Sequence, residues 1–212
     1  MEKEFKTLAG ISLIIGSVLM TVTMILHPSG GNIYHINKIK TIIMVSHSLA
    51  IASLSFITFG FWGLSLTLLT KSKLSMLAFI ISCFGLFATM MAAAINGLTL
   101  PLFTSAVVKN DFDLAVASPI IHYGSRINMS MDYIMIATLM ASIGIWSVLV
   151  IRNVSFPSWI GYYGLALLAA GIMASINQYN FIALIGFRIF VFGVVSWIVL
   201  MAVKVLLARN KG

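Results

Sequence analysis

Six long runs of apolar residues divide the 212-residue chain, at about 7–27, 41–69, 74–100, 131–151, 157–177 and 181–207. A transmembrane helix needs about 20 predominantly apolar residues, and each run supplies them. The breaks between them carry the expected helix-ending chemistry. Pro28 with Gly30 and Gly31 closes the first run, Lys71 and Lys73 mark the turn after the second, and Pro101 limits the third. Arg152 to Pro157 separates the fourth from the fifth, and Asn177-Gln178-Tyr179-Asn180 joins the last two. The expected fold is all-α: a polytopic membrane protein, residues 1–212 forming one antiparallel bundle of six transmembrane helices. The second and third runs exceed one bilayer thickness, so they should tilt or project past the headgroups.

Composition agrees. Hydrophobic residues make up 60% of the chain and charged residues 8%, against about 25% charged in a soluble domain. Such a surface has to face lipid. The net charge of +8 would suggest nucleic acid in a soluble protein, but the cations lie between apolar runs and form no basic stripe. They are read as topology signals and contacts with anionic headgroups, with no nucleic-acid partner. The single cysteine, Cys83, excludes an internal disulfide and a CxxC redox pair. The first run is longer than a signal-peptide core of about 7–15 residues and ends in His27-Pro28, so it is read as a retained span.

One connection is long. Residues 102–130, with Asp111, Asp113 and Arg126, are too polar to span, and are expected to lie over one end of the bundle, partly as a short amphipathic helix from Phe112 to Ala117. With the N-terminus inside, one face carries the eight cations Lys3, Lys6, Lys71, Lys73, Arg152, Lys204, Arg209 and Lys211. The other carries four, Lys38, Lys40, Lys109 and Arg126, while Arg188 falls inside a span. The bias puts both termini in the cytoplasm, and all four histidines on the outer side. No convincing internal repeat is found.

Small residues at helical spacing mark packing faces. They are Ala166, Ala170 and Ala174 on the fifth span, Ala137 and Ala141 on the fourth, and Gly186 and Gly193 on the sixth. The third span has a stripe from Ser82 through Gly85, Thr89, Ala92 and Ala93 to Asn96. A homo-oligomer is the alternative use of such faces. Asn128 and Asn153 match glycosylation acceptors by chance. Met129, Met131 and Met135 near His122 raise Cu(I) as a ligand, although methionine is an ordinary filler of apolar packing.

The functional expectation rests on polar groups at one depth. His27, His47, Asn96, Asp132, Asn177 with Gln178, and Arg188 put a polar group on every span in one outer layer, while the inner half has almost none. Arg188 in a span must snorkel to lipid phosphate, pair with Asp132, or line a pocket and hold an anion. A ligand-binding set of His27, His47, Asn96, Arg188 and Asp132 follows, taking a small polar, anionic or metal ligand. A metal could instead be held by His27, His47 and His122, giving a membrane hydrolase; no HxxxH or HxxE spacing supports it. Haem between two histidines is weaker, there being no CxxCH attachment. A transporter or channel is the third alternative, although no acidic residue lies deep in any span.

Ile25-Leu26-His27-Pro28 ends the first span, His47 comes early in the second, Gly60 to Leu64 (GFWGL) lies near its end, and Pro157 to Leu165 (PSWIGYYGL) opens the fifth. This layout resembles bacterial multispan membrane families of unknown function. The resemblance implies a bacterial inner-membrane protein and transfers no activity. Seven-span zinc hydrolases of the ceramidase and adiponectin-receptor type bear their ligands differently: this chain has fewer spans and no histidine after His122.

Overall fold

The computed structural model describes residues 3–69, 72–110, 113–154 and 156–207. Their order is α1 (Lys3–Leu26), α2 (Ile33–Lys38), α3 (Lys40–Leu69), α4 (Leu74–Ala93), a π-helical segment (Ala94–Thr99), α5 (Leu100–Lys109), α6 (Leu114–Ile151), α7 (Ser158–Ile176) and α8 (Leu184–Leu207). No strand occurs among the described residues. Six helical stretches, with α4, the π segment and α5 forming one, are long and apolar enough to cross a membrane. The chain is an integral membrane protein with an all-α bundle. Lys71, Phe112, Arg209 and Lys211, used above for topology and the amphipathic helix, lie outside the described residues.

The long polar connection departs from expectation. Residues 102–109 continue the third span, and residues 114–130 open the fourth. Pro101 does not stop the helix because the π segment precedes it. A proline removes one backbone donor and crowds the carbonyl four residues back, and here the backbone already runs in the wider pattern, with Leu100 N bonded to Ile95 O. The 36-residue third span and the 38-residue α6 would be about 54 and 57 Å long at 1.5 Å per residue. Both therefore project well beyond a hydrocarbon core of about 30 Å. They project at the end where α1 gives way to α3, here called the histidine end. Asp113 starts α6 as an N-cap, its Oδ1 accepting from Ala115 N at 2.8 Å.

Packing makes α1 the partner of α3 and α8, and α6 the partner of α4 and α7. The α1–α3 approach is close because Gly60 and Gly63 face Leu13 and Ala9, where a Cβ would collide. The stripe on α4 packs as expected, with Gly85 against Thr138 and Leu139 of α6. The alanine ladders do not. Ala137, Ala141, Ala166 and Ala170 are exposed, and α7 instead uses buried Gly161 and Gly164 against Ser147, Ile151 and Trp197. At the centre of the bundle, Trp146 stacks on Trp197 with centroids 6.3 Å apart and Phe61 meets Trp146 at 4.9 Å. Away from the histidine end, Ser65 and Ser75 bond each other's carbonyls across the α3–α4 turn, and Trp146 Nε1 donates to Ser75 Oγ at 3.2 Å.

Candidate functional site: an acceptor-lined cavity

A cavity of about 320 Å³ opens at the histidine end between α1, α3, α4, the π segment, α6 and α8. That is within the volume range of small-molecule sites. Along α6 its wall runs from Ser125 to Leu139, about 21 Å at the helical rise. The rim is made by Pro28, Gly30 and Ile182, from the α1–α2 and α7–α8 loops. Below it the interior is filled by Ile57, Phe61, Ile143, Trp146, Trp197 and Ile198, each 1% exposed or less.

Four of the expected residues line it together: His27 at the end of α1, His47 on α3, Asn96 in the π segment and Asp132 on α6. The two imidazoles lie side by side, ring centroids 4.9 Å apart and tilted by 52°. His47 is held there by its own helix and by a glycine. Its Nδ1 is 2.8 Å from Ile43 O, and Gly97 is so close that any side chain at that position would overlap His47. The π segment thus does two things: it carries Asn96 to the cavity and brings a bare backbone against His47. Such segments occur often at functional sites.

Arg188 neither pairs with Asp132 nor lines the cavity among the described residues. Its Nη2 donates to the carbonyl of His27 at 2.9 Å, the residue that follows the last turn of α1. The last carbonyls of a helix lack intrahelical donors and carry partial negative charge, so the guanidinium caps α1 from α8. It makes no ion pair with Asp132 among the described residues and is not part of the cavity wall. Asp132 instead accepts from Asn128 Nδ2 at 2.8 Å, both side chains being buried. Asn128 was set aside in the sequence as a chance glycosylation match; its i, i+4 spacing from Asp132 is the signal that would have found it. Asn153 is buried too.

His122 and His35 are exposed. His122 lies ten residues from Asp132 on α6, about 15 Å along the axis, and does not line the cavity. The expected set of His27, His47 and His122 is therefore not brought together, and among the described residues no three His, Cys, Asp or Glu side chains are grouped to hold a metal. The copper arrangement fails likewise: Met129 and Met135 line the cavity, but Met131 packs against the core. Asn177 and Gln178 are exposed and contribute nothing to the wall.

Hydrogen bonding gives the wall a single character. A carbonyl only accepts, so the contacts of His27 Nδ1 with Pro28 O (3.0 Å) and His47 Nδ1 with Ile43 O (2.8 Å) place the hydrogen on Nδ1 in both rings. Each neutral ring then presents Nε2 as a lone pair, and neither Nε2 has a protein partner among the described residues. Thr23, Ser53 and Thr89 donate their hydroxyl hydrogens to Ser46 O, Ala50 O and Gly85 O, which leaves oxygen lone pairs free for the cavity. Asn128 Oδ1 is buried without a partner, and Asp132 adds carboxyl oxygens. Asn96, Ser125 and the second amide hydrogen of Asn128 are donors in the same wall. For His27, beyond the end of α1, burial lowers the pKa from its ordinary value; the Pro28 carbonyl opposes this, and the Arg188 guanidinium reinforces it.

Compared with known proteins, the chain matches no family model, no curated protein sequence and no solved structure.

Proposed function

We propose that this membrane protein binds a small polar molecule in the cavity at its histidine end, and that the molecule is recognised through hydrogen bonds it donates. The observation that carries the reading is the acceptor-rich wall: two imidazole Nε2 atoms, the Asn128 and Asp132 oxygens, and three hydroxyls already committed as donors. A hydroxyl- or amino-bearing ligand satisfies these groups, whereas an anion meets more lone pairs than donors. Leaving a buried acceptor such as Asn128 Oδ1 unpaired costs about 1–3 kcal/mol, which makes occupancy by a donor favourable. Among the described residues no three His, Cys, Asp or Glu side chains are grouped to support metal-dependent hydrolysis, and the tight packing of Trp146 and Trp197 beneath the cavity disfavours through-transport.

The 8-to-4 cation bias and the layout likeness to bacterial multispan proteins support a bacterial cytoplasmic membrane location, with both termini inside and the cavity opening outward. A cavity opening outward over a packed interior supports a binding or sensing role.

The test is thermal unfolding of purified protein in nanodiscs with small polyols, small amines, and small carboxylates or phosphates. A ligand present at about 100 times its Kd adds about 2.7 kcal/mol of stability. Polyols or amines should raise Tm in the parent, and His47→Phe or Asp132→Asn should lose the response while remaining folded. Stabilisation by the anions alone would contradict the reading.

A further inference from the structure

A second space lies on the lipid-facing side of the same wall. It is a groove of about 570 Å³ between α3 and α4, edged by Ile51, Ser55 and Trp62 from α3 and by Phe79, Cys83 and Met90 from α4. On each helix these positions share one face, spaced by turns, so the groove follows the helix axes. From Ile51 to Trp62 it extends about 16 Å at the helical rise. Trp62 and Met90 are exposed to the bilayer. Leu54 and Leu86 wall both this groove and the cavity. The two spaces are neighbours across two leucines, the groove starting one turn below His47 and running past the middle of α3 toward the α3–α4 turn.

The cavity itself is divided in the same sense. His27, His47, Asn128 and Asp132 lie toward the rim, Ser53 sits at the level of Leu54, and Met20, Leu54, Leu86, Leu139, Phe190 and Val194 give the deeper part a mainly apolar lining. A purely polar ligand would leave that lower part without a complement. A molecule with a hydroxylated head and one hydrocarbon chain complements both, with the head among the acceptors and the chain continuing past Leu54 and Leu86 into the groove. One file of residues per helix makes a channel for one chain.

We propose that the ligand is an uncharged, single-chain amphiphile with a hydroxyl-bearing head, which enters from the bilayer and lays its chain between α3 and α4. This rests on the reading of the cavity as a binding site for hydrogen-bond donors. It adds a lateral route and a lipid-soluble ligand class.

Cys83, the chain's one cysteine, is half-buried in the groove and reports on its occupancy. The experiment measures the rate at which a membrane-permeant maleimide modifies Cys83 in nanodiscs, with monododecanoylglycerol, dodecyl sulfate or glycerol added. Monododecanoylglycerol is expected to slow modification at least fivefold. That protection should disappear in Asp132→Asn, whose head site is altered, and in Ser55→Trp, whose lipid-facing groove is filled while the core is untouched. Dodecyl sulfate and glycerol should protect little. Equal protection by dodecyl sulfate, or protection unchanged in Asp132→Asn, would mean unspecific chain adsorption and would overturn the proposal. If monododecanoylglycerol gives no protection while glycerol raises Tm in a His47-dependent manner, the lateral route falls and the donor-binding cavity stands. If neither occurs, both fall.

Discussion

At the scale of single residues, the two histidines show how a fixed tautomer turns an amphoteric side chain into a directed one. Each Nδ1 is spent on a neighbouring carbonyl, so each Nε2 can only accept while the ring is neutral. His27 also makes stability depend on pH. Its pKa is lowered in the folded protein, so the unfolded chain binds the proton more readily, and stability is full above the unfolded value of about 6.5 and falls as pH drops through it. Thermal unfolding between pH 8 and 5 should show this decline, with a shallower slope in His27→Gln. Gly97 is the other decisive residue. A methyl group there overlaps His47, so Gly97→Ala should lower stability by about 1–3 kcal/mol, the cost of overpacking, and weaken polyol binding more than Gly30→Ala, where an added Cβ meets open space. Equal effects would remove the special role of that contact. The residue level was partly legible in the sequence. His27, His47, Asn96 and Asp132 share a depth that helix counting reveals. Arg188 was not legible, because its partner is a backbone carbonyl 161 residues away, and carbonyls leave no trace in residue type.

Among the elements, the π segment Ala94–Thr99 is the piece that sequence reading could not supply. Pro101 reads as a stop signal, and only the wider backbone pattern ahead of it lets the helix continue to Lys109. The same stop signal sets residues 102–130 apart as a polar connection over the end of the bundle, whereas 102–109 and 114–130 continue the helices on either side. Periodicity locates apolar runs in lipid, but helices that extend into water keep their backbone pattern while losing their hydrophobic label. The exposed alanine ladders carry the complementary lesson: small residues permit close approach without saying which helix accepts it, and Gly161 and Gly164 were the ones used. Away from the histidine end, the α3–α4 turn is pinned by the Ser65–Ser75 exchange and by Trp146. Ser75→Ala should strand the buried Trp146 Nε1 and cost about 1–3 kcal/mol, read as a lower Tm, while ligand binding at the far end stays unchanged. A loss of binding comparable to that of Asp132→Asn would show that the two ends are coupled.

Viewed whole, the molecule is a bundle with one packed half and one hollow half. Trp146 stacked on Trp197, with Phe61 tilted against it, fills the first, and six helical elements hold the second open around lone pairs. The tight packing beneath the cavity predicts that proteoliposomes containing the protein are no more permeable to polyols than empty vesicles, measured by stopped-flow light scattering; a protein-dependent flux would contradict this. The central claim is that the acceptor-lined cavity is an occupied site. An experimental structure of protein purified from its native membrane in a mild, chemically distinct detergent tests it most directly. Density filling the cavity within about 3.2 Å of His27 Nε2, His47 Nε2 and the Asp132 carboxyl is the predicted result. A collapsed cavity, with either Nε2 hydrogen-bonded to a protein group, would contradict it.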